Sequence, residues 1–332
     1  MTSPQTKRIT ATVALGFTVA ATMAACSSDE NGASGGASTD TINMATQPWL
    51  GYGPWYIAED QGYFDDADVD VNITSFEDDS QMTAALGSGD VDVANAASHS
   101  ALQWLENGLP GYIALFLDTS LEADAILAGQ GIDDISDLEG ASIAYEEGSV
   151  SNLLLDHALT EAGLSTDDIE TVPMAPSEAA VALQAGRVDA AVTYEPYISD
   201  TAGADSDIST LYTAAEQPGL ISDILFVSEQ AMEEKPDAVQ KVIDAWGPSV
   251  DFYRSNTDEA QDIIAENIGS DAESLRTAFE GVEFYDLEEN ATLLGGDYQD
   301  DYLSSVQESA LNAAIVNEEQ DLDAAIDTRF VE

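Results

Sequence analysis

Two stretches of the sequence, ALGSGDVDVANA (85–96) and ALQAGRVDAAVTY (182–194), repeat one pattern. In each, a helical segment ends at a glycine, and a Val-Asp step leads into a short apolar run that is typical of a buried strand. The two copies are roughly 100 residues apart, which is too far for a short-period repeat. They predict two similar α/β units within one chain.

The segments around both copies alternate between strand and helix patterns. Strands are predicted over 41–46, 69–75, 91–96, 112–117, 124–128, 141–145, 169–174, 188–194 and 224–228. Helices are predicted over 54–61, 80–89, 100–108, 148–163 and 177–186, and then over 236–255, 257–267, 271–280 and 297–317. This alternation predicts an α/β fold with parallel sheets and crossover helices. The tail beyond residue 229 reads as nearly all helical, so we expect it to pack back on the first unit.

The first 25 residues have the composition of an export signal. Lys7 and Arg8 precede an uncharged apolar run over 9–25, and small residues lead into Cys26. A signal that ends at a cysteine is typical of a bacterial lipoprotein, with cleavage before Cys26 and lipid on its thiol. The alternatives are an ordinary secretory signal or an uncleaved membrane helix, but the run is short for the roughly 20 residues that span a bilayer. Residues 26–40 are small and polar, which predicts a flexible tether.

Cys26 is the only cysteine of the chain. The body that follows therefore has no internal disulfide, no thiolate nucleophile and no cysteine-based metal site. Stability must come from a large core, and the length after the tether is sufficient for two domains.

The charge balance is strongly acidic. The chain has 64 acidic and eight basic residues, and without Lys7 and Arg8 the balance is 64 against six, a formal net charge of −58. This charge repels nucleic acid and anionic lipid surfaces, so we expect no nucleic-acid partner and membrane attachment only through the lipid. One interpretation is a cation-binding protein. We favour a halophile-type surface, because the acidic residues are spread along the whole chain.

Common enzyme motifs are missing. The sequence contains no GxGxxG, no phosphate-binding GxxxxGK[ST] and no HExxH. The two histidines, His99 and His157, are far apart, so neither a metal nor another cofactor is expected.

Aromatic and small polar residues follow the predicted strands. Ligands of open α/β sheets bind at the carboxyl ends of strands, where helix N-termini present free N–H groups. Six of the 25 aromatic residues lie within 47–64; those inside the helix and at 63–64 are expected in the core, whereas Trp49 and Tyr52 lie on the strand-to-helix turn. The candidate ligand-binding residues are Trp49, Tyr52, Asp78, Ser98, His99, Asp118, Ser120, Ser149, Ser151, Tyr194 and Glu195.

Several segments in order resemble one family. They are WLGYGPWYIA (49–58) with EDQGYF (59–64), ALGSGDVDV (85–93), DTSLEADAI (118–126), ISDLEG (135–140) and AGRVDAAVTYEPY (185–197). Together they resemble the substrate-binding proteins of bacterial ABC importers, in the branch that handles nitrate, sulfonates, taurine and thiamine-precursor pyrimidines. The resemblance covers roughly 41–230, and the helical tail in outline.

The resemblance implies a type II periplasmic-binding-protein fold, with two Rossmann-like lobes joined by two hinge strands. Lobe I would be 41–122 plus 223–332, and lobe II 123–222. It also implies a monomer, lipid-anchored at the outer face of the cytoplasmic membrane, that captures a small solute and delivers it to a permease and its ATPase. The alternatives are a pyrimidine-precursor synthase of the same fold and a ligand-sensing domain without transport.

The ligand class follows from the charges near the predicted cleft. None of the six remaining basic residues falls in a candidate cleft segment, whereas these segments hold Asp78, Asp79, Asp118, Glu122, Glu146, Glu147 and Glu195. An anion beside several carboxylates is costly, so we favour an amine, guanidinium-like or pyrimidine ligand. A sulfonate or nitrate held by serine hydroxyls and helix N-termini stays open.

Overall fold

A computed structural model describes residues 41–76, 78–204, 207–276 and 278–332. The predicted signal over 1–25, the predicted tether over 26–40 with Cys26, and Glu77 lie outside the described residues. No helix among the described residues is both long enough and apolar enough to cross a membrane.

The strands form two sheets. They are β1 (Thr41–Thr46), β2 (Asp70–Ser75), β3 (Val93–Ala97), β4 (Gly111–Ser120), β5 (Asp124–Ala128), β6 (Ser142–Tyr145), β7 (Glu170–Pro173), β8 (Ala190–Tyr194), β9 (Ser209–Thr213), β10 (Ser222–Ser228) and β11 (Val282–Phe284). The first sheet has the order β11-β4-β10-β3-β1-β2, and the second has the order β7-β6-β8-β5-β9. When the second order is reversed, β9, β5, β8, β6 and β7 take the places of β4, β10, β3, β1 and β2, and only β11 has no counterpart. This correspondence agrees with the two similar units that the repeated pattern predicted.

Each sheet contains parallel strands and an internal strand that runs against both neighbours; in the first sheet the edge strand β11 is also antiparallel to β4. β1 pairs in parallel with β2 and β3, and β6 pairs in parallel with β7 and β8. β10 is antiparallel to β3 and β4, and β5 is antiparallel to β8 and β9. The expectation of wholly parallel sheets was therefore wrong. The reason is that β5 and β10 enter their sheets directly from the other sheet, without the crossover helix that a parallel connection requires.

The helices cover the faces of both sheets. They are α1 (Gly53–Asp60), α2 (Tyr63–Asp66), α3 (Asp79–Ser88), α4 (Ser98–Glu106), α5 (Val150–Glu161), α6 (Pro176–Gln184), α7 (Tyr197–Ala204), α8 (Glu229–Glu234), α9 (Pro236–Ser255), α10 (Thr257–Asn267), α11 (Ala272–Leu275), α12 (Leu287–Leu293), α13 (Ser304–Asn312) and α14 (Leu322–Ala325). Short 3₁₀ turns lie at Leu50–Tyr52, Ile135–Leu138, Thr166–Asp168, Ala214–Glu216, Ala278–Gly281 and Thr328–Phe330, and a π-helical turn at Tyr298–Leu303.

The C-terminal region packs back on the first sheet, as expected. α9 and α10 pack on α1, and α13 contacts both α4 and α5. The region is not wholly helical, because β11 adds an edge strand to β4. The helix predicted over 271–280 is divided into α11 and a 3₁₀ turn, and the chain turns there into β11.

The core holds most of the aromatic residues of the segment 47–64. Trp55 is buried on α1, donates through Nε1 to Asn95 Oδ1 at 2.7 Å, and lies 4.6 Å from the Trp246 ring. Asn95 in turn donates to the Ala45 carbonyl at 3.0 Å. A buried indole that is packed and hydrogen-bonded fixes the position of α1 against the sheet. The turn before α1 is thereby fixed as well.

Candidate ligand-binding site

A cavity lies between the two sheets, at the edge where the chain crosses from one to the other. It is lined by Gln47, Trp49, Tyr52, Asp79, Ala97, Asp124, Glu146, Ser149, Val150, Tyr194, Ile221 and Asp223. The space that the centres of water-sized molecules can occupy in it is about 40 Å³. That is room for a few waters, so the cavity is small in this conformation.

The strand-to-helix turn after β1 supplies two aromatic walls. Trp49 precedes the 3₁₀ turn Leu50–Tyr52, and Pro54 stands in the first turn of α1. Gly51 permits a close approach in this turn, because a Cβ there would lie 2.2 Å from Asp118 Oδ2 and 2.3 Å from Trp49 Nε1. The glycine therefore lets a carboxylate of β4 press against the turn that carries both rings.

Aromatic rings meet across the cavity. Trp49 follows the first strand of the first sheet, and Tyr194 ends β8 of the second sheet. Their ring centroids are 5.9 Å apart in an edge-to-face arrangement, which is a favourable geometry for aromatic pairs. This contact joins the two sheets at the cavity.

Carboxylates form the polar part of the lining. Asp223 and Asp124 are nearly inaccessible to solvent, and burial raises the pKa of each to about 7. Burial, with Asp79 and Asp78 nearby, raises the pKa of Glu146 to about 7. The pKa of Asp79 is raised as well, again mainly by burial. An ionised carboxylate is therefore disfavoured at this site unless a positive charge compensates it.

Tyr52 links one wall to this acidic group. Its hydroxyl donates to Asp223 Oδ1 at 3.1 Å, and burial together with Asp223 and Asp118 raises the pKa of Tyr52 well above its usual range. The phenol is thus a neutral donor at physiological pH.

A second contact between the sheets lies beside the cavity. Gln103 on α4 donates through Nε2 to the carbonyl of Gly148 at 3.2 Å and to that of Ile315 at 3.3 Å. Gly148 lies in the turn before Ser149, the N-cap of α5, and Ser149 itself lines the cavity. This hydrogen bond connects α4 to the turn that carries a cavity residue.

Of the eleven candidate residues, four line the cavity: Trp49, Tyr52, Ser149 and Tyr194. Asp118 lies directly behind the lining, opposite Asp223 on the neighbouring strand. Ser120, at the end of β4, is fully buried. Ser151 is buried in the first turn of α5, and its N–H donates to Ser149 Oγ at 3.1 Å.

The remaining candidates are placed in other local structures. Asp78 caps α3 by accepting from the N–H of Gln81 at 2.9 Å. Ser98 Oγ is hydrogen-bonded to the hydroxyls of Ser222 and Tyr298 at 2.8 and 3.0 Å. None of these hydroxyls belongs to the lining of this cavity.

His99 and Glu195 are also buried outside the lining. Burial lowers the pKa of His99 to about 4, so its ring is neutral at physiological pH. The Glu195 carboxylate accepts from the Ser199 N–H at 3.0 Å and from the Ser199 hydroxyl at 2.9 Å, which caps α7. Its position next to Asp124 makes it a neighbour of the site, since its charge raises the pKa of Asp124.

The sequence reasoning missed the two most buried acids of the lining, Asp124 and Asp223. Both stand at the start of an antiparallel strand, and Asp223 is paired with Ala97 at the carboxyl end of β3. The start of an antiparallel strand lies at the same edge as the ends of its parallel neighbours. The sequence signal that could have predicted these two site residues is an acidic residue at the beginning of a strand that enters its sheet from the other unit.

Within 41–76, 78–204, 207–276 and 278–332, no group of three or more His, Cys, Asp or Glu side chains is arranged to hold a metal ion.

Two sheets of matching strand order, joined by direct crossovers around a cavity, define the periplasmic-binding-protein fold. The periplasmic aliphatic sulphonate binding protein from Escherichia coli has this fold with a TM-score of 0.72 and 18% sequence identity, covering 86% of this chain and 92% of that one. The alkanesulfonate-binding protein from Xanthomonas axonopodis pv. citri, solved with MOPS bound, gives a TM-score of 0.73 at 17% identity, covering 87% and 98%.

The family is established by a match to residues 50–260, which is more than half of the chain. The protein belongs to the NMT1/THI5-like family.

Related sequences in this family have more than one kind of name. A "Putative aliphatic sulfonates-binding protein" of Bacillus subtilis (strain 168) is 26% identical over 246 residues, 71% of this chain and 72% of the relative. A "Putative binding protein" of Brucella abortus (strain 2308) is 25% identical over 226 residues, 67% and 69% of the two chains. The 4-amino-5-hydroxymethyl-2-methylpyrimidine phosphate synthase of Saccharomyces cerevisiae is 25% identical over 231 residues, 65% and 67%.

Proposed function

We propose that this protein is the extracytoplasmic solute-binding component of an ABC importer, and that its solute is a small organic nitrogen compound with a positive charge. An amine, an amidinium, a guanidinium or a protonated aminopyrimidine would fit this description. The observation that carries the proposal is the cavity lining, which combines four carboxylates with three aromatic rings. Carboxylates accept the N–H groups of such a cation, and aromatic faces attract its charge.

The basic residues are placed elsewhere. Lys235 pairs with Asp92, Lys241 with Asp68 and Arg276 with Asp258. Arg254 pairs with Asp286 and Glu289, Arg329 with Asp327, and Arg187 is exposed. None of these six belongs to the cavity lining.

Sulfonate recognition, which the names of several relatives suggest, fits this chain less well. A sulfonate in this cavity would be buried beside Asp124 and Asp223 without a compensating cation in the lining. Burying an anion next to carboxylates costs free energy. The names of the relatives support the general role of a binding protein, and the lining supports a different ligand charge.

Two further parts of the proposal concern the arrangement of the chain. The division into lobe I (41–122 plus 223–332) and lobe II (123–222) stays a prediction, which the distribution of strands over the two sheets supports. Hinge closure of these lobes on the solute is the expected mechanism.

Attachment of the protein to the membrane through lipid on Cys26 is supported by the sequence pattern alone. Loss of metabolic lipid labelling in Cys26→Ala would test it.

The test of ligand class is a thermal-shift screen of the full chain at constant high salt. The cationic set is guanidinium, methylammonium and 4-aminopyrimidinium at millimolar concentration, and the anionic set is methanesulfonate and nitrate. A ligand at 100 times its Kd stabilises the folded state by about 2.7 kcal/mol, so binding is visible as a rise in Tm. The proposal expects shifts from the cationic set and none from the anionic set.

A variant separates cavity binding from general salt effects. Asp223→Asn removes a lining carboxylate, and Asp66→Asn makes the same chemical change at an exposed position at the end of α2. The cation-induced shift should shrink in Asp223→Asn and persist in Asp66→Asn. Shifts with the anionic set alone, or a cation shift that is equal in both variants, would refute the proposed ligand class.

A further inference from the structure

A pair of aspartates faces each other across the two strands that connect the sheets. Asp118 near the end of β4 is directly opposite Asp223 near the start of β10. Asp118 is 0% and Asp223 4% exposed to solvent. Two like charges at directly opposed positions destabilise a sheet, and burial increases that cost.

The hydrogen bonds around the pair are incomplete. Asp223 accepts from the Tyr52 hydroxyl, but both carboxylate oxygens of Asp118 are buried without a hydrogen-bond partner. Trp49 Nε1, a buried donor, also has none. The indole nitrogen and Asp118 Oδ2 both lie against Gly51; the Trp49 N–H is close enough to lower the pKa of Asp118, although the two atoms do not have the geometry of a good hydrogen bond. Buried carboxylate oxygens without a partner, directly behind a cavity, indicate a polar site that is incomplete without a further donor.

The groups that face the pair are neutral or acidic. They are Trp49 and Tyr52 from the turn after β1, Asp79 from α3, Asp124 from β5 and Tyr298 from the π-helical turn. Glu195 acts on Asp124 from the end of β8. The six basic residues, all of them in the described part of the chain, are exposed or engaged in the ion pairs given above.

Two ionised carboxylates at this position would therefore be uncompensated. Sharing one proton is the usual solution for two carboxylic acids at one buried site. Burial and the Asp223 charge raise the pKa of Asp118 well above its usual range, and burial raises that of Asp223 to about 7. Both directions agree with the geometry.

We propose that Asp118 and Asp223 hold one proton between them in the solute-free protein, and that the positive charge of the solute displaces this proton into bulk water. The inference rests on the proposed function, since it requires a cationic solute. Before binding, the pair with one proton has a net charge of −1. After binding, the two ionised carboxylates and the cation again sum to −1. Capture thus exchanges a proton for a cation without changing the charge of the site.

The two aspartates have different parts in this exchange. Asp223 lines the cavity and would accept the N–H groups of the solute directly. Asp118 lies behind it and is a positioning residue, because its charge determines whether the pair keeps a proton. Affinity for the cation should therefore rise with pH up to the pKa of the pair, by up to about tenfold per pH unit when one proton is released.

The first experiment needs no ligand. The infrared difference spectrum between the wild type and Asp118→Asn, recorded solute-free at pH 8, should show loss of one protonated carboxyl C=O band in the variant, because burial raises the pKa of Asp223 only to about 7. Asp66→Asn, an exposed carboxylate, should lose no such band. Absence of the band difference for Asp118→Asn would overturn the shared proton. Asp118→Ser, which also removes the carboxyl, gives a second measurement if Asp118→Asn does not fold.

The second experiment is calorimetric titration with guanidinium in buffers of different ionisation enthalpy at pH 8, where Asp124 and Glu146, with pKa values of about 7, are mostly ionised. Wild type should release close to one proton per bound cation, and Asp118→Asn close to none, with a flatter dependence of affinity on pH. A purely structural role for Asp118 would weaken binding and leave the proton count unchanged, which would refute the proposal. If guanidinium binds without proton release, the proposed function stands and this inference is wrong. If only sulfonates bind, the proposed function fails, and the infrared result alone decides whether the pair shares a proton.

Discussion

Asp124→Asn is expected to stabilise the protein near neutral pH and to change its stability little at pH 4. Burial raises the pKa of Asp124 from 3.8 to about 7, with the charges of Asp223 and Glu195 contributing and the nearby Ser120 hydroxyl opposing. Between pH 3.8 and about pH 7, the folded state keeps a proton on Asp124 that the unfolded chain has released. Stability therefore falls as the pH rises through this window, and it is constant above it.

The magnitude follows from the size of the shift. A change of about three pKa units, at about 1.4 kcal/mol per unit, makes the ionisation of Asp124 cost up to about 4 kcal/mol at pH 8. Asparagine has the same shape and no charge, so it removes this cost, while the burial of its amide N–H₂ without a partner offsets about 1 kcal/mol. At about 2 °C per kcal/mol for a chain of this size, the net effect on Tm at pH 8 is about 6 °C.

The assay is thermal unfolding of the full chain from pH 4 to pH 8 at one high salt concentration, since salt screens the exposed acids. Wild type should lose more stability over this range than Asp124→Asn, and the two curves should converge at pH 4. Asp66→Asn, exposed on α2, should follow the wild type. Parallel curves for wild type and Asp124→Asn would refute the reasoning that this carboxyl keeps its proton in the fold.

Two other substitutions test the packing that positions the site. Gly51→Ala places a Cβ within 2.4 Å of the Asp118 carboxylate and should lower the free energy of unfolding, measured in urea, by about 1–3 kcal/mol. Gly87→Ala is the control and should cause no such loss, because its Cβ would be 3.9 Å from the nearest neighbour. Equal effects of the two substitutions would contradict the close approach at Gly51. Asn290→Ala removes an amide that accepts from the Phe116 N–H and donates to the Phe116 carbonyl, both at 2.8 Å, and should lower Tm by the equivalent of about 2–4 kcal/mol because two buried backbone groups of β4 lose their partner. An unchanged Tm in Asn290→Ala would show that these groups find other partners.

The sequence predicted elements best where a local signal was strong. β1, β5, α9 and α10 have the predicted bounds to the residue. α9 begins with Pro236 in its first turn, and its long amphipathic pattern is hard to confuse with a strand. β9 and β11 were missed for the opposite reason. β9 is mostly exposed or half-buried, and β11 is three residues long, so their pairing with β5 and β4 decides their conformation.

The site was predicted as far as parallel strands reach it. Trp49, Ser149 and Tyr194 follow or end parallel strands, and the rule that ligands bind at the carboxyl ends of such strands placed them at the cavity. Asp124 and Asp223 begin antiparallel strands, for which the same edge is the amino end. Local sequence does not state strand direction, because direction depends on how the chain crosses between the sheets. The sequence analysis missed Asp124 and Asp223 because the direction of their strands could not be predicted from the local sequence.

The acids of the surface and the acids of the cavity need different explanations. Exposed carboxylates are compatible with a surface adapted to high salt, and they are spread along the chain. Asp118, Asp124 and Asp223 are at most 5% exposed, so they add nothing to solubility and each ionisation there costs free energy. Replacement of these aspartates by asparagine would remove that cost. None of the six basic residues in the described part of the chain lies at this cluster to compensate the charges. Asp124 and Asp223 line one cavity, Asp118 lies directly behind Asp223, and the positive charge that would make the cluster favourable is best supplied by what enters the cavity.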